Sequence, residues 1–335
     1  MKGNKKMKKL IALILCITTL LALCLSLASC KKDDTQIRVG YMAGPTGIGM
    51  AKLINDNKDS AEKYEFTKYA DTTSANTDLM TGKLDIACLP TNEAAKFYNT
   101  VNSDMQVLAI NCLNSLCLLT NDSVEINSIE DLNGKEIVTC QNGTPRIILQ
   151  KLLEAYGISA TISYQVGEGD AAVTIKTPQD IAPIVVQNKA DVILAPEPIV
   201  SNALSKPSAK HKVTLDLSAL WAEKFDSPIA MGCIVVSKSF AEEHPKVVAS
   251  FLKEYEKSIK YMASSENVDT AASYVVDAGI MGDEAVSKSA LNNLGSAIAY
   301  LDGEEMKETL ISIYEIFGLG VVGGKLPDDN FYYAK

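Results

Sequence analysis

Short apolar runs and segments of helical periodicity alternate along the chain after residue 36. The apolar runs have the length and the β-branched composition of buried strands, and they lie at residues 37–41, 84–89, 135–140, 162–166 and 191–194. Segments with helical spacing follow, and they begin near residues 50, 73, 91, 144, 179 and 198. Strands that alternate with helices are typical of mainly parallel sheets, so the pattern predicts an α/β protein.

The pattern changes beyond residue 221. One more apolar strand, at residues 229–237, precedes four helical segments at residues 245–261, 269–276, 283–291 and 303–317. An apolar, strand-like run spans residues 107–120, and Asn114-Ser115 is its one candidate turn. The last residues, 323–333, form a turn-rich tail whose aromatic residues we expect to dock onto the body.

Residues 1–29 have the pattern of a secretory signal. Lysines precede an apolar run at residues 10–28, and the letters LASC end it at Cys30. This ending resembles the bacterial lipobox, in which the cysteine takes a diacylglycerol and becomes the first residue after cleavage. We therefore expect a lipidated tether at residues 30–36 that anchors the protein to the outer face of a Gram-positive-type membrane or on the periplasmic side. An uncleaved helix with an incidental cysteine is the alternative.

Composition and charge exclude several classes of protein. Of 335 residues, 47% are hydrophobic and 22% are charged, which excludes disorder, collagen and coiled coil as overall descriptions. The formal charge is −9, and removal of the five lysines at the N-terminus would make it −14, so no nucleic-acid partner is expected. The chain has two histidines and no Cys-x-x-Cys pair, so we predict neither a metal site nor a cofactor.

If Cys16 and Cys24 are cleaved off with the signal and Cys30 carries the lipid, an odd number of cysteines remains. Cys112 and Cys117 are separated by about 16 Å in an extended strand, whereas a disulfide requires Cα atoms within roughly 7 Å. We interpret the remaining cysteines as small buried hydrophobic residues. They are Cys88, Cys112, Cys117, Cys140 and Cys233.

Four loops lie where a predicted strand ends and a helix begins. In an open α/β sheet a ligand binds beyond the carboxyl ends of the strands, where helix N-termini offer free N–H groups. Glycines let the main chain approach a ligand closely, and threonine and asparagine side chains can hydrogen-bond to it. The candidate ligand-binding residues are Gly44, Thr46, Gly47, Thr91, Asn92, Asn114, Asn142, Gly143, Thr144 and Glu197.

Several of these candidates also have a purely structural interpretation. Thr91, Asn92 and Thr144 are favourable N-cap residues. Asn114, together with Asn111, either faces a cleft or only forms a turn.

Charge and aromatic side chains leave further alternatives. A carboxylate at Glu197 would repel an anion unless a partner holds it or a ligand N–H meets it, which argues against a simple sulfonate. Arg146 either completes an anion site or is a solvated helix residue. Trp221, Tyr41 and Tyr98 could stack on a flat ligand, although aromatic residues more often belong to the core.

No enzyme signature is present in the sequence. Gly47-Ile48-Gly49 is followed at the required position by Lys52 rather than glycine, so the dinucleotide-binding fingerprint fails. Walker A, Gly-x-Ser-x-Gly and His-Glu-x-x-His motifs are absent. We predict that the chain is not an enzyme.

A set of motifs in a particular order resembles a known family. The lipobox is followed by GKLDIA at residues 82–87, EDLNGKEIV at 130–138, Glu197-Pro198, and EEHP at 242–245. The chain is thereby similar to the substrate-binding lipoproteins of bacterial ABC importers, in particular the nitrate, taurine and alkanesulfonate binders and the binders of thiamine pyrimidine precursors. The resemblance covers residues 37–333.

The resemblance implies a two-lobed type II periplasmic-binding-protein fold, with two mainly parallel sheets, flanking helices and an interlobe ligand cleft. Lobe 1 would comprise residues 37–120 and 229–335, and lobe 2 residues 121–228. Such a monomer would close on a small polar or anionic nutrient, either sulfonate- or nitrate-like or a pyrimidine or vitamin precursor, and deliver it to ABC permease subunits. A ligand sensor of the same fold is the alternative, and an enzyme comes third.

Overall fold

The computed structural model describes residues 35–59 and 62–334. The predicted signal segment and Cys30 therefore lie outside the described residues, as does all of the tether except Thr35 and Gln36. Among the residues that the structure describes, no helix combines the length and the apolar character needed to cross a bilayer.

The strands are numbered in chain order. Strands β1–β13 are Ile37–Met42, Tyr64–Tyr69, Ile86–Pro90, Met105–Leu113, Leu116–Thr120, Glu136–Val138, Thr161–Ser163, Gln165–Val166, Val173–Thr174, Val192–Pro196, Lys212–Asp216, Ala230–Ser237 and Ile298–Leu301.

The helices are numbered in the same way. Helices α1–α13 are Pro45–Ile48, Ala51–Asp56, Thr72–Met80, Thr91–Val101, Thr144–Tyr156, Ile181–Val186, Ile199–Leu204, Leu217–Phe225, Lys238–Glu243, Pro245–Met262, Val268–Asp277, Glu284–Leu294 and Gly303–Phe317.

The first sheet has the strand order β13-β4-β12-β3-β1-β2. Strands β1, β2, β3 and β4 run in one direction, and β12 and β13 run in the other. The central strands β3 and β12 are buried along nearly their whole length, which explains their continuous apolar composition. Edge strand β2 has no such run because Tyr64 is its one buried residue, so the sequence pattern did not predict it.

The second sheet has the strand order β11-β5-β10-β6-β7, in which β5 runs against the other four strands. A separate two-stranded sheet pairs β8 with β9. Helices cover both larger sheets, so the predicted α/β class, with two mainly parallel sheets and flanking helices, is confirmed.

The run predicted as one strand at residues 107–120 divides between the two sheets. β4 ends at Leu113 in the first sheet, and β5 begins at Leu116 in the second. Asn114 lies between them with φ +31°, in the left-handed region that asparagine tolerates. The lobe boundary predicted at residue 121 therefore falls at the far end of a strand that already pairs with the second sheet.

Apolar packing joins the helices to the sheets. Helix α10 packs on α2 and α11, and its buried face shares an apolar cluster with β1. Helix α13 packs on β4 and β12 of the first sheet and also on α5, which follows β6 of the second sheet. Phe317 of α13 lies 6.2 Å, centroid to centroid, from the fully buried Trp221 of α8. The two lobes therefore share an apolar contact at this side.

Two further predictions concern the tail and the cysteines. The tail docks as expected, because Tyr332 bridges to Val107 and Phe331 is fully buried.

The cysteines within the described residues are free thiols, and all are buried except the half-buried Cys117. Their interpretation as small hydrophobic residues is confirmed.

Candidate functional site

Two glycines shape the loop between β1 and α1. Gly44 has φ +92°, a conformation that residues with a Cβ rarely adopt. A Cβ on Gly47 would lie 1.9 Å from the carbonyl oxygen of Met42, so only glycine allows the main chain to fold back this tightly. Between these glycines, Thr46 is buried against the first sheet.

Thr46 contacts Gly232 of β12. A Cβ on Gly232 would lie 2.5 Å from Thr46 Cγ2 and 2.6 Å from Asn111 Oδ1, so all three residues are in close contact. Asn111 Nδ2 donates hydrogen bonds to the carbonyl oxygen of Thr46 (3.0 Å) and to the hydroxyl of Tyr255 (2.9 Å). Asn111 is thus a buried side chain that fixes the position of the first loop.

Thr91 is held by two hydrogen bonds within the fold. Its hydroxyl donates to the carbonyl oxygen of Ala230 (2.7 Å), and its own carbonyl accepts from the hydroxyl of Tyr314 (2.9 Å). Thr91 is the first residue of α4, and Pro90 occupies the N-cap position without a side-chain cap. The interpretation of Thr91 as a helix cap is therefore wrong.

Three buried oxygens near these residues have no hydrogen-bond partner among the described residues. They are Asn92 Oδ1, Asn111 Oδ1 and Ser115 Oγ, on side chains that are at most 4% exposed. Buried polar atoms in proteins are nearly always paired with protein or with ordered water. These three atoms are therefore places where a ligand or water can accept or donate a hydrogen bond.

The second lobe contributes the N-terminus of α5. Gly143 occupies the N-cap with φ +92°, and Thr144 follows as the first helical residue, so Thr144 is not the cap either. The side chain of Thr144 is buried, and its Oγ1 lies 3.6 Å from Sδ of Met231 on β12. The helix start of the second lobe thus contacts a strand of the first.

Asn142 and Arg146 lie outside this contact. Asn142 is exposed, and its main-chain N–H donates to the carbonyl oxygen of Lys176 (3.0 Å). Arg146 donates through Nε to the carbonyl oxygen of Gln141 (3.2 Å), at the exposed side of the loop. Both residues therefore stabilise the loop that precedes α5.

Asn114 links the two passages of the chain between the sheets. Its main-chain N–H donates to the carbonyl oxygen of Ile229 (3.0 Å), and its Oδ1 accepts from the N–H of Ile229 (2.8 Å). Its neighbour Ser115 accepts a hydrogen bond at its carbonyl from the N–H of Glu197 (2.8 Å).

Glu197 is 3% exposed and is held by three donors. Its Oε1 accepts from Ser201 Oγ (3.0 Å) and from Asn293 Nδ2 (2.7 Å), and its Oε2 accepts from the N–H of Ser201 (3.1 Å). Burial raises the pKa of this carboxyl, and the hydrogen bonds from Asn293 and Ser201 partly offset that rise.

The aromatic residues considered for stacking on a ligand contact other residues of the folded chain instead. Trp221 is fully buried beside Phe225, with a ring distance of 4.3 Å. The Tyr41 hydroxyl donates to the carbonyl oxygen of Ala278, and that of Tyr98 donates to Asp328.

Four of the predicted residues converge on residues 229–232, which are Ile229 and the first three residues of β12. These four consecutive residues are contacted in order by the side chains of Asn114, Thr91, Thr144 and Thr46. The contacting side chains come from both lobes and, at Asn114, from one chain passage between them. All four contacting side chains are polar and uncharged, and unpaired oxygens of Asn111 and Ser115 lie beside them.

Sequence reasoning missed Met231, Gly232 and Asn293. Met231 and Gly232 lie inside a buried strand whose apolar pattern indicates only core. Asn293 lies on an exposed part of α12, 96 positions from Glu197, and no local signal connects the two residues.

The fold and this site define a two-lobed α/β protein in which side chains of both lobes meet at residues 229–232. The chain belongs to the NMT1/THI5-like family, whose model matches residues 63–267. This confirms the resemblance drawn from its motifs. Among curated protein sequences, none matches this chain significantly.

Solved structures with the same fold are numerous. An ABC transporter protein from Parabacteroides distasonis superposes with a TM-score of 0.72 at 21% identity, covering 90% of this chain and 100% of its own. The periplasmic aliphatic sulphonate-binding protein SsuA from Escherichia coli gives 0.68 at 14% identity, covering 89% and 92%. The periplasmic nitrate-binding protein NrtA from Synechocystis PCC 6803 gives 0.53 at 14% identity, covering 82% and 75%.

At these identities the likeness establishes the fold. SsuA and NrtA are binding proteins rather than enzymes, in agreement with the prediction that this chain is not an enzyme.

Proposed function

We propose that this protein is an extracytoplasmic receptor, anchored to the membrane through a lipid on Cys30, that closes on a small polar solute and delivers it to an ABC permease. The observation that carries the proposal is the convergence of Asn114, Thr91, Thr144 and Thr46 on residues 229–232. Side chains from both lobes meet there beside unpaired buried oxygens, as a site that closes around a ligand requires.

The charges near the site favour a neutral ligand over a simple anion. The side chains that contact residues 229–232 carry no charge, and the nearby Glu197 is a buried carboxylate. An unpaired anion beside that carboxylate would be destabilised, whereas a ring or amide with N–H donors and acceptors could pair with the open oxygens. A pyrimidine or vitamin precursor therefore suits the site better than a free sulfonate or nitrate.

A thermal-shift screen tests the binding function. The chain from Lys31 onward is heated with hydroxymethylpyrimidine, its formylamino relative, thiamine, taurine, an alkanesulfonate and nitrate in turn. A ligand at a hundred times its dissociation constant stabilises the folded state by about 2.7 kcal/mol. We expect a pyrimidine to raise the melting temperature, and a larger shift with taurine or the alkanesulfonate would contradict the ligand class.

A matched pair of variants tests the location of the site. Thr144→Val removes a hydroxyl at the contact between the lobes, whereas Thr161→Val removes one from the exposed edge strand β7. We expect Thr144→Val to reduce the shift caused by the active compound and Thr161→Val to leave it unchanged. Equal shifts in both variants would place the ligand elsewhere.

The lipid anchor has its own test. Cys30→Ser removes the proposed lipid acceptor, and Cys24→Ser changes a cysteine inside the same apolar run. We expect only Cys30→Ser to lose incorporation of labelled fatty acid and to leave the membrane fraction. Retention of the label in Cys30→Ser would exclude this anchor.

A further inference from the structure

A polar contact joins α7 of the second lobe to α12, away from the chain passages at Asn114 and Ile229. Glu197 lies between β10 and α7 in the second lobe, and Asn293 lies near the end of α12. Nδ2 of Asn293 donates to Glu197 Oε1 (2.7 Å) and to Ser201 Oγ (3.1 Å).

The two helices belong to different cores. The buried face of α7, with Val200 and Ala203, packs in one apolar cluster with Ile193 of the second sheet. The buried face of α12, with Leu291 and Leu294, packs in the cluster of the first sheet. The hydrogen bond between Glu197 and Asn293 therefore joins two helices that pack in different apolar clusters.

In each of these hydrogen bonds the side-chain oxygens of Glu197 are the acceptors. This arrangement suits an ionised carboxylate, which can accept hydrogen bonds but cannot donate one. Without Asn293, Oε1 would keep Ser201 Oγ as its one donor. Hydrogen bonds to a charged group are stronger than neutral ones. Asn293 thus contributes a strong and directional contact across the lobes.

The contact between Trp221 and Phe317 and the contact between Glu197 and Asn293 differ in how readily they can break. Trp221 and Phe317 are buried, and their separation would expose apolar surface to water, which is unfavourable. The contact between Glu197 and Asn293 borders a groove of about 420 Å³ between α7 and α12, whose lining includes Lys206, Asp283 and Ser289. Water from this groove can replace the lost hydrogen bonds on both sides, so the polar contact can open and reform.

We propose that Asn293 is a positioning residue for closure: it acts through Glu197 as a latch that stabilises the closed receptor before any solute binds. This inference rests on the proposed receptor function, because it assigns a regulatory step to the closure of the same two lobes. The latch biases an equilibrium between open and closed forms, and a ligand then shifts that equilibrium further.

Small-angle X-ray scattering of the ligand-free chain from Lys31 onward tests the latch without reference to any ligand. Asn293→Asp places a second carboxylate against Glu197, and Asn292→Asp makes the same charge change at the neighbouring exposed residue of α12. The double variant Glu197→Gln, Asn293→Asp exchanges the amide and the carboxylate and so restores a hydrogen-bonded pair. Asn293→Ala removes the donor without adding charge.

We expect Asn293→Asp to lower the ratio of closed to open forms about tenfold or more and to increase the radius of gyration. Asn293→Ala should change the radius in the same direction by less, and Asn292→Asp should match the wild type. The double variant should return toward the wild-type radius. Circular dichroism distinguishes opening from unfolding, and Asn293→Ala replaces Asn293→Asp if the latter does not fold.

Two results would overturn the latch. The first is that the wild type, Asn293→Asp and Asn293→Ala have the same radius of gyration. The second is that the double variant has a radius of gyration as large as that of Asn293→Asp. Either result leaves the thermal-shift test of solute binding unaffected, so failure of the latch and failure of the receptor function are distinguishable.

Discussion

Asn114 and Ile229 form two reciprocal hydrogen bonds where the chain passes between the lobes, N–H to carbonyl at 3.0 Å and N–H to Oδ1 at 2.8 Å. One residue lies on the outward passage and the other on the return. The pair therefore ties together both connections about which the lobes could rotate, and Asn114 acts as a structural link as well as a neighbour of the site.

Asn114→Ala removes the acceptor of a buried N–H, because Ile229 is fully buried. The unpaired N–H should destabilise the protein by about 1–3 kcal/mol, measured by urea unfolding. Asn102→Ala is the matched control, since Asn102 also has a positive φ (+49°) but is exposed. Equal losses in both variants would mean that only the backbone conformation at residue 114 matters.

Gly232→Ala should disturb the site by overpacking. The new Cβ would lie 2.5 Å from Thr46 Cγ2 and 2.6 Å from Asn111 Oδ1, so both side chains must shift. We expect a loss of about 1–3 kcal/mol in the free energy of unfolding, together with weaker binding of whichever compound is active in the thermal-shift screen. Gly282→Ala, where the Cβ meets nothing within 4 Å, should change stability by less than about 0.5 kcal/mol.

Local signals predicted the loops of the site, and tertiary packing decided what each residue does. The letters NGTP at residues 142–145 correctly indicate a helix start, yet Gly143 rather than Thr144 is the cap. The positions of glycine and proline determine where a chain can turn. They do not determine which hydroxyl faces a distant strand, as Thr144 does at Met231.

Contacts between residues far apart in the chain could not be predicted from the sequence pattern. The sequence indicates that a carboxylate at Glu197 needs a partner. Its partner, Asn293, lies on α12, and the apolar periodicity of that helix predicts only which residues are buried. Similarly, the strand-like run at residues 107–120 gave no sign that its two halves pair in different sheets. An apolar run records burial, and it does not record which sheet provides the neighbours.

Thr91→Val and Thr144→Val should separate a structural hydroxyl from a ligand-facing one. The Thr91 hydroxyl pairs with the buried carbonyl of Ala230 at 2.7 Å, so Thr91→Val should destabilise the fold by about 1–3 kcal/mol. The Thr144 hydroxyl has only a 3.6 Å contact to a thioether, so Thr144→Val should lose less than about 1 kcal/mol. Thermal unfolding of the two ligand-free variants checks this order, and the reverse order would contradict the assignment.

The thiols of the folded protein should react slowly with a disulfide reagent. Burial raises the pKa of Cys88 and Cys112 to about 12 and that of Cys140 to about 11, and it also raises the pKa of Cys233. At pH 8, about 0.1% or less of a thiol with pKa 11 is ionised, against about a quarter for an ordinary thiol with pKa near 8.5. Since the thiolate is the nucleophile, reaction should be at least about a hundredfold slower than for a free cysteine.

Cys117 differs from these four cysteines in its exposure, because it is only half-buried. Its pKa is also raised to about 12. With the chain from Lys31 onward, we expect that Cys117→Ser removes the fastest reacting thiol of the native protein and that guanidinium exposes all those remaining. Rapid reaction of Cys88 or Cys233 in the native state would show that the first sheet opens to solvent, since both thiols lie on fully buried strand positions of that sheet.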